Sequence, residues 1–292
     1  NGAALYAAQA LWLASLSGPP PVGEQPLELV AIPAGVLAAG RFAWREGDRL
    51  LVVSSSGELR DAIEALQSGA PRPYVSITSS PDSTIARGAE ACALVEVESQ
   101  EATTHTQAYC GNVAAALALL ARLASDETLA RALAGAPEAV EAACVGADAW
   151  AVDAVLVERP RAAVVFGSGV GWAAALEAAL LLKEVAGVPA EGVETREGAT
   201  SGMYALGAGQ IALSLPAGGD PLLTEAEETC ARSGATTLRA PGGELAEPRL
   251  TPLTTFPAAV ALAAELGLAA GLDVDRPQWL EAYLATARVP AE

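Results

Sequence analysis

The 292-residue sequence holds one histidine, one methionine, four cysteines and only 4% aromatic residues. One histidine and a few scattered thiols cannot assemble a ligand cluster, so no metal site is expected. Cys92, Cys110, Cys144 and Cys230 have no C-x-x-C spacing and mostly apolar neighbours. They read as buried free thiols of a reducing cytoplasm, not as a disulfide frame. Positive charge is also scarce. Lys plus Arg number 17 against 35 Asp plus Glu, a net charge of −18, and Lys183 is the only lysine. That balance repels polyanions and argues against nucleic acid or an anionic membrane as partner. Long apolar runs are missing too: the run over 113–121 ends at Arg122, and that over 256–272 is broken by Glu265. Both fall short of the ~20 residues of a membrane span. No signal-peptide pattern is visible, so a soluble cytoplasmic protein is expected.

What is present is apolar residue, 52% of the chain, in an amount and over a length that suit two domains. Short β-branched runs alternate with Ala/Leu-rich stretches of helical length, the pattern of parallel strands joined by crossover helices. The first half predicts strands at 27–32, 49–53, 74–77 and 93–97, with helices at 5–16, 58–67, 83–87 and 109–124. The second predicts strands at 162–166, 210–215 and 236–239, with helices at 172–185, 221–233 and 257–267. Residues 126–158 between them read as a largely helical linker. The expected division is therefore 1–130, a linker over 131–160, and 161–292. The first helix has no strand ahead of it, although a doubly wound sheet normally feeds its first helix from a central strand. Either that strand lies upstream or the first sheet is one strand short.

The most informative segment is Leu50-Leu-Val-Val-Ser-Ser-Ser-Gly-Glu-Leu-Arg-Asp61. An apolar strand ends in three serines and a glycine and turns into an amphipathic helix. This aims hydroxyls and free N–H groups at one point, an anion site that needs no Lys or Arg. The same residues also suit an ordinary serine-capped helix. In the second half, Gly167-Ser-Gly-Val-Gly171 follows a strand and invites a dinucleotide reading. Its spacing is G-x-G-x-G, however, and no acidic residue ends a second strand about 20 residues on. No cofactor is expected.

Ser54-Ser-Ser-Gly-Glu58 resembles the phosphate loop of the SIS (sugar isomerase) family, and within it the isomerase domains of the glucosamine-6-phosphate synthases. The resemblance continues through Ile77-Thr-Ser-Ser-Pro-Asp-Ser-Thr-Ile-Ala-Arg87, Thr103-Thr-His-Thr-Gln-Ala-Tyr109, the Leu176-Glu…Lys183-Glu helix, and Gly271-Leu-Asp-Val-Asp-Arg-Pro277. Asn1-Gly2 resembles the end of the family's first glycine loop. The resemblance implies an α/β fold of two flavodoxin-like SIS domains, each a parallel sheet flanked by helices. It also implies a phosphorylated sugar as ligand, held by Ser54, Ser55, Ser56, Gly57, Thr103, Thr104 and Asn1, and a homodimer that completes its sites across the interface.

Moving a proton between adjacent carbons needs a positioned base. By resemblance Glu184 is that base. Glu177, seven residues earlier on the same helix face, can place a second carboxylate near it and raise the pKa of one of them. Lys183 points about 100° away from Glu184 and reads as a snorkelling surface residue. Three positions depart from the synthase pattern: Leu181 and Ala282 stand where lysines are expected, and Glu197 where the ring-opening histidine is expected. Leu59 also replaces a hydroxyl residue of the phosphate loop. His105 takes the place of a cleft lysine and is either a structural residue or a replacement acid. Three readings follow: an aldose–ketose isomerase or aminosugar-phosphate deaminase-like enzyme, a non-catalytic sugar-phosphate sensor, and a structural oligomerisation module.

Overall fold

The computed structural model describes residues 2–18, 28–40, 42–70, 73–97, 103–104, 106–154, 159–242 and 247–287. The first half runs α1 (Ala3–Ser17), α2 (Ala34–Ala38), β1 (Leu51–Val53), α3 (Arg60–Gln67), β2 (Val75–Thr78), α4 (Thr84–Gly88), β3 (Ala91–Leu94) and α5 (Thr106–Leu123). Two helices follow, α6 (Glu127–Ala134) and α7 (Ala136–Ala154). The second half runs β4 (Ala163–Gly167), α8 (Gly171–Glu184), β5 (Ala190–Glu194), α9 (Thr195–Gly198), β6 (Ile211–Leu215), α10 (Pro221–Arg232), β7 (Thr236–Arg239), α11 (Thr251–Thr254), α12 (Phe256–Ala269) and α13 (Leu280–Ala287).

The strands form two parallel sheets. One has the order β1-β2-β3, with Leu51 opposite Val75 and Val75 opposite Ala91. The other has the order β5-β4-β6-β7, with Ala163 between Ala190 and Ile211. In the second sheet the first strand is therefore central, and the order reverses between β4 and β6, a doubly wound topology. Strands β4 and β6 are buried at every residue, as expected of parallel strands with helices on both faces. Val164 and Phe166 face a cluster with Val193, Leu223 and Cys230, and Ala163 and Val165 face α8 and α12.

That second face belongs to one continuous core drawing on α1, α5, α7, α8 and α12. Helix α5 joins it through Tyr109, Val113, Ala116, Leu117 and Leu120, the spacing of one helical face. Across the halves, the rings of Tyr109 and Phe256 lie 4.5 Å apart between centroids. The guanidinium of Arg249 lies 2.6 Å from the carboxylate of Asp126 and 2.7 Å from that of Glu247. The stretch 126–158, expected as a linker, is helical over α6 and α7. It enters the shared core through Leu129, Ala136, Ala147 and Ala154.

Several expectations need correction. Residues 28–33 are not a strand; they border a cleft beside β1, so they have no neighbour to pair with. Leu27 lies outside the described residues. Helix α3 begins at Arg60 instead of residue 58. Strand β5 was not anticipated, because Ala-Glu-Gly-Val-Glu carries one strong strand former and takes its structure from pairing with β4. Cys92 and Cys144 are exposed, not buried. Cys92 sits on the edge strand β3, all of whose residues are exposed, and Cys144 lies on α7 away from its buried alanines. The helical stretch Pro248–Ala269 is long and apolar enough to cross a membrane by composition, but 67% of its apolar window is buried inside the fold.

Candidate functional site

The carboxyl ends of the first sheet's strands carry the serine loops. After β1, Ser54 is fully buried and its hydroxyl accepts the N–H of Gly57 at 3.1 Å. The Ser56 hydroxyl accepts the N–H of Glu58 at 3.3 Å. The loop is latched to the next one: the Ser55 carbonyl accepts from the Ser79 N–H and the Thr78 hydroxyl, each at 3.0 Å. The Glu58 carboxylate accepts the Thr84 N–H at 2.6 Å. Gly57 is obligatory here. Its φ is +64°, and a Cβ would lie 2.0 Å from the Ser83 hydroxyl oxygen. The residue at the N-cap of α3 is Leu59, without a side-chain cap. The serine-capped alternative therefore does not apply.

Ser55 is aimed from below. Asn112 on α5, fully buried, donates its side-chain amide to the Ser55 hydroxyl at 2.8 Å, while its own Oδ1 has no partner. Three residues earlier on α5 and on the same face, Tyr109 is fully buried with an unpartnered hydroxyl. Burial, followed by the charge of Glu177, pushes its pKa well up.

Glu177 and Glu184 lie on α8. Burial and then the charge of Glu184 raise the Glu177 carboxyl to about 8. Burial raises Glu184 to about 7, against the opposing pull of Lys183. Glu177 is 3% exposed and its Oε2 has no partner. Burial, with smaller contributions from both glutamates, also raises the Tyr6 hydroxyl of α1. Two carboxyls that change protonation near neutral pH, next to two phenols, can pass a proton between adjacent positions on a bound molecule.

Other expected residues fall around this centre. The Thr103 N–H donates to the Asp275 carbonyl at 3.0 Å, and the Trp279 indole donates to the Glu184 carbonyl at 3.1 Å. The segment before α13 thus ties the Thr103–Thr104 turn to the end of α8. The Thr104 hydroxyl is buried without a partner. Lys183 is exposed. Leu181 is 1% exposed in the core, and Ala282 is exposed. Glu197 is exposed on α9, which packs with α10, β4 and β5. It is thus on the sheet face opposite α8 and is not brought to Glu184. Asn1 and His105 lie outside the described residues.

The glycine turn after β4 does stand between a strand and a helix, but the Ser168 hydroxyl there donates to Asp220 at 2.6 Å and pairs with Thr195 at 2.8 Å. A pyrophosphate at this turn would face a carboxylate, which disfavours the dinucleotide reading.

No family model matches the chain. Over 295 aligned positions it is 28% identical to the isomerizing glutamine–fructose-6-phosphate aminotransferase of Leifsonia xyli subsp. xyli, covering 88% of this chain and 48% of that protein. It thus spans about half the length of this curated relative. Among solved structures, glucosamine-6-phosphate deaminase from Thermotoga maritima superposes with a TM-score of 0.78 at 18% identity, over 95% of this chain and 86% of the other. The C-terminal domain of glucosamine–fructose-6-phosphate aminotransferase from Francisella tularensis gives a TM-score of 0.72 at 15% identity, over 95% and 85%.

The chain has the SIS fold. The resemblance read from the serine loop and the Leu-Glu…Lys-Glu helix therefore stands; the serine loop is held from α5 and the helix packs against α1, which in turn packs on α5. Asn112, Tyr109 and Tyr6 are the residues that sequence reasoning missed. The one signal for Asn112 was a lone amide inside the apolar run of α5.

Proposed function

We propose that this SIS chain binds a phosphorylated sugar and acts on it as an aldose–ketose isomerase or aminosugar-phosphate deaminase-like enzyme. The phosphate is held by Ser54, Ser55, Ser56 and Gly57 with the first N–H groups of α3, and the sugar is flanked by Thr103 and Thr104. Glu184 moves the proton between adjacent carbons, and Glu177 sets its protonation. In this reading the two sheets correspond to two SIS units, 1–130 and 161–292, joined by 131–160, and two copies form a homodimer. The observation that carries the proposal is the buried Asn112 amide that aims the Ser55 hydroxyl from α5; Tyr109, one turn earlier on the same helix, is buried near enough to Glu177 for that carboxylate's charge to add to the effect of burial on its hydroxyl.

A second reading, a sensor without turnover, draws on the burial of Leu181 and on Glu197 lying across the sheet from Glu184. The test is thermal stability with glucose 6-phosphate, fructose 6-phosphate, glucosamine 6-phosphate and their unphosphorylated parents. A ligand at 100 times its Kd adds ~2.7 kcal/mol. Stabilisation by phosphates only, followed by deuterium uptake from solvent at C1 or C2, supports the enzyme. Stabilisation without exchange supports the sensor. No stabilisation by any of them removes both.

A further inference from the structure

A proton can move between adjacent carbons of a hexose phosphate only once the sugar ring has opened. Opening needs an acid at the ring oxygen as well as a base at the anomeric hydroxyl. The carboxyl pair of α8 offers the base, and the surroundings of that pair narrow the choice of acid.

Glu177 is 3% exposed and Tyr109 fully buried, so neither can touch a ligand. Lys183 is turned to solvent, and Glu197 lies across the sheet. Cys110 is partly open, but burial and then the charges of Cys144 and Glu177 act on its thiol, with no part played by Glu184. Tyr283 packs edge-on against Trp279, whose indole holds the main-chain carbonyl of Glu184 and not its carboxyl.

Tyr6 is placed differently. Gly2, Tyr6 and Gln9 form one half-buried stripe along α1, and Leu176, Leu180 and Glu184 form another along α8. The two helices pack together, and a Cβ on Gly2 would lie 3.1 Å from the Leu180 side chain. Leu180 is one turn from Glu184 on the same face. Tyr6 is one turn beyond Gly2, its N–H donating to the Gly2 carbonyl at 3.1 Å. After the effect of burial, the charges of both glutamates reach its hydroxyl. Of the two phenols beside the carboxyl pair, Tyr6 is the one with an open side.

We propose that Tyr6 is the ring-opening acid of this site, donating its phenolic proton to the ring oxygen of a hexose 6-phosphate while Glu184 takes the proton of the anomeric hydroxyl. This rests on the reading of the chain as a sugar-phosphate enzyme. In an aldose ring the C1–O5 bond breaks, and its electron pair stays on O5, which gains the Tyr6 proton. The C1 hydroxyl becomes the aldehyde as its proton passes to Glu184. The Glu184 carboxylic acid, at about 7, then returns a proton to the phenolate, the stronger base. Both side chains are back in their starting forms, and the Glu184 carboxylate is free to take the C2 proton.

The test follows deuterium uptake from solvent into glucose 6-phosphate, a closed ring, and into 5-deoxyfructose 6-phosphate, which lacks the ring oxygen and stays open. Tyr6→Phe is expected to slow uptake into glucose 6-phosphate by ~10²–10⁴. Uptake into the open analogue, and the affinity for both compounds, should stay within about threefold of the parent chain. Equal slowing with both compounds makes Tyr6 a structural residue and overturns the proposal. Parent-like uptake with both also overturns it, as does the selective loss appearing in Tyr283→Phe instead. No uptake by the parent chain into either compound removes the enzyme reading itself, and the proposal with it. Should Tyr6→Phe fail to fold, the parent chain decides: uptake into the open analogue alone overturns the proposal, and uptake into both at rates within about tenfold supports it.

Discussion

The amide of Asn112 reaches the hydroxyl of Ser55 at 2.8 Å, across 57 positions of sequence. This bond fixes the rotamer of a loop hydroxyl that would otherwise turn freely. A single hydrogen bond contributes ~0.5–1.5 kcal/mol. Asn112→Leu should therefore weaken binding of the stabilising sugar phosphate by up to about tenfold, measured by calorimetry, while circular dichroism stays that of the parent.

Gly57→Ala is expected to damage the same loop by a different route. The backbone there is left-handed, and the added methyl would overlap the Ser83 hydroxyl. Strain of this kind costs on the order of 1–3 kcal/mol. A lower melting temperature together with lost phosphate-dependent stabilisation is the expected result.

The raised carboxyls make stability depend on pH. Glu177 and Glu184 titrate at about 8 and about 7 in the folded chain, above the 4.5 of a free glutamate. Between these values the folded state binds more protons than the unfolded one, so stability falls as pH rises. One pKa unit corresponds to about 1.4 kcal/mol, and the loss from pH 5 to 8 should reach several kcal/mol. Glu177→Gln should flatten that slope in urea denaturation series at pH 5, 6, 7 and 8. An unchanged slope would show that burial does not hold this proton.

Acid acts in the opposite sense on a second set of groups. Burial alone would raise Asp126, but the Leu129 N–H and Arg249 outweigh it and hold its carboxyl low. Hydrogen bonding to Arg249, ahead of an opposing contribution from burial, holds Glu247 low. Their contribution is present above the ordinary carboxylate range and is lost as pH falls through it. Arg249→Met strands two largely buried carboxylates and should cost on the order of 3–5 kcal/mol. Arg249→Lys should recover little, because a lysine cannot donate to Glu247 through two nitrogens as the guanidinium does. Chemical denaturation of both variants at pH 7 checks this.

Should turnover be found, Glu184→Gln is expected to reduce it by ~10²–10⁴ and to leave sugar-phosphate binding within about threefold. Equal losses in both would make Glu184 a structural residue.

The parallel architecture was legible because β1, β2, β4 and β6 each hold at least two of Val, Ile and Leu and run directly into Ser or Pro. β5 was not, because its Gly192 answers to packing: a Cβ there would lie 2.6 Å from the Ala175 carbonyl oxygen on α8. No local propensity records such an approach. The Glu177–Glu184 pair was readable from a seven-residue spacing, which returns to one helix face. Asn112 and Tyr109 were not, since their meaning depends on where α5 lies against the serine loop and α8. The exposure of Cys92 and Cys144 was missed for a related reason: apolar neighbours in sequence do not say which face of an element points outward.

The contact between Tyr109 and Phe256 has a consequence for how the chain can be divided. Each ring completes an interior that the other half begins, and the Asp126–Arg249 pair closes the same seam at the surface of that core. A cut made between residues 130 and 160 separates two sheets on paper, yet leaves each piece with an oily face and the first with Asp126 stripped of its cation. The smallest part of this protein able to keep its shape is expected to be both sheets together.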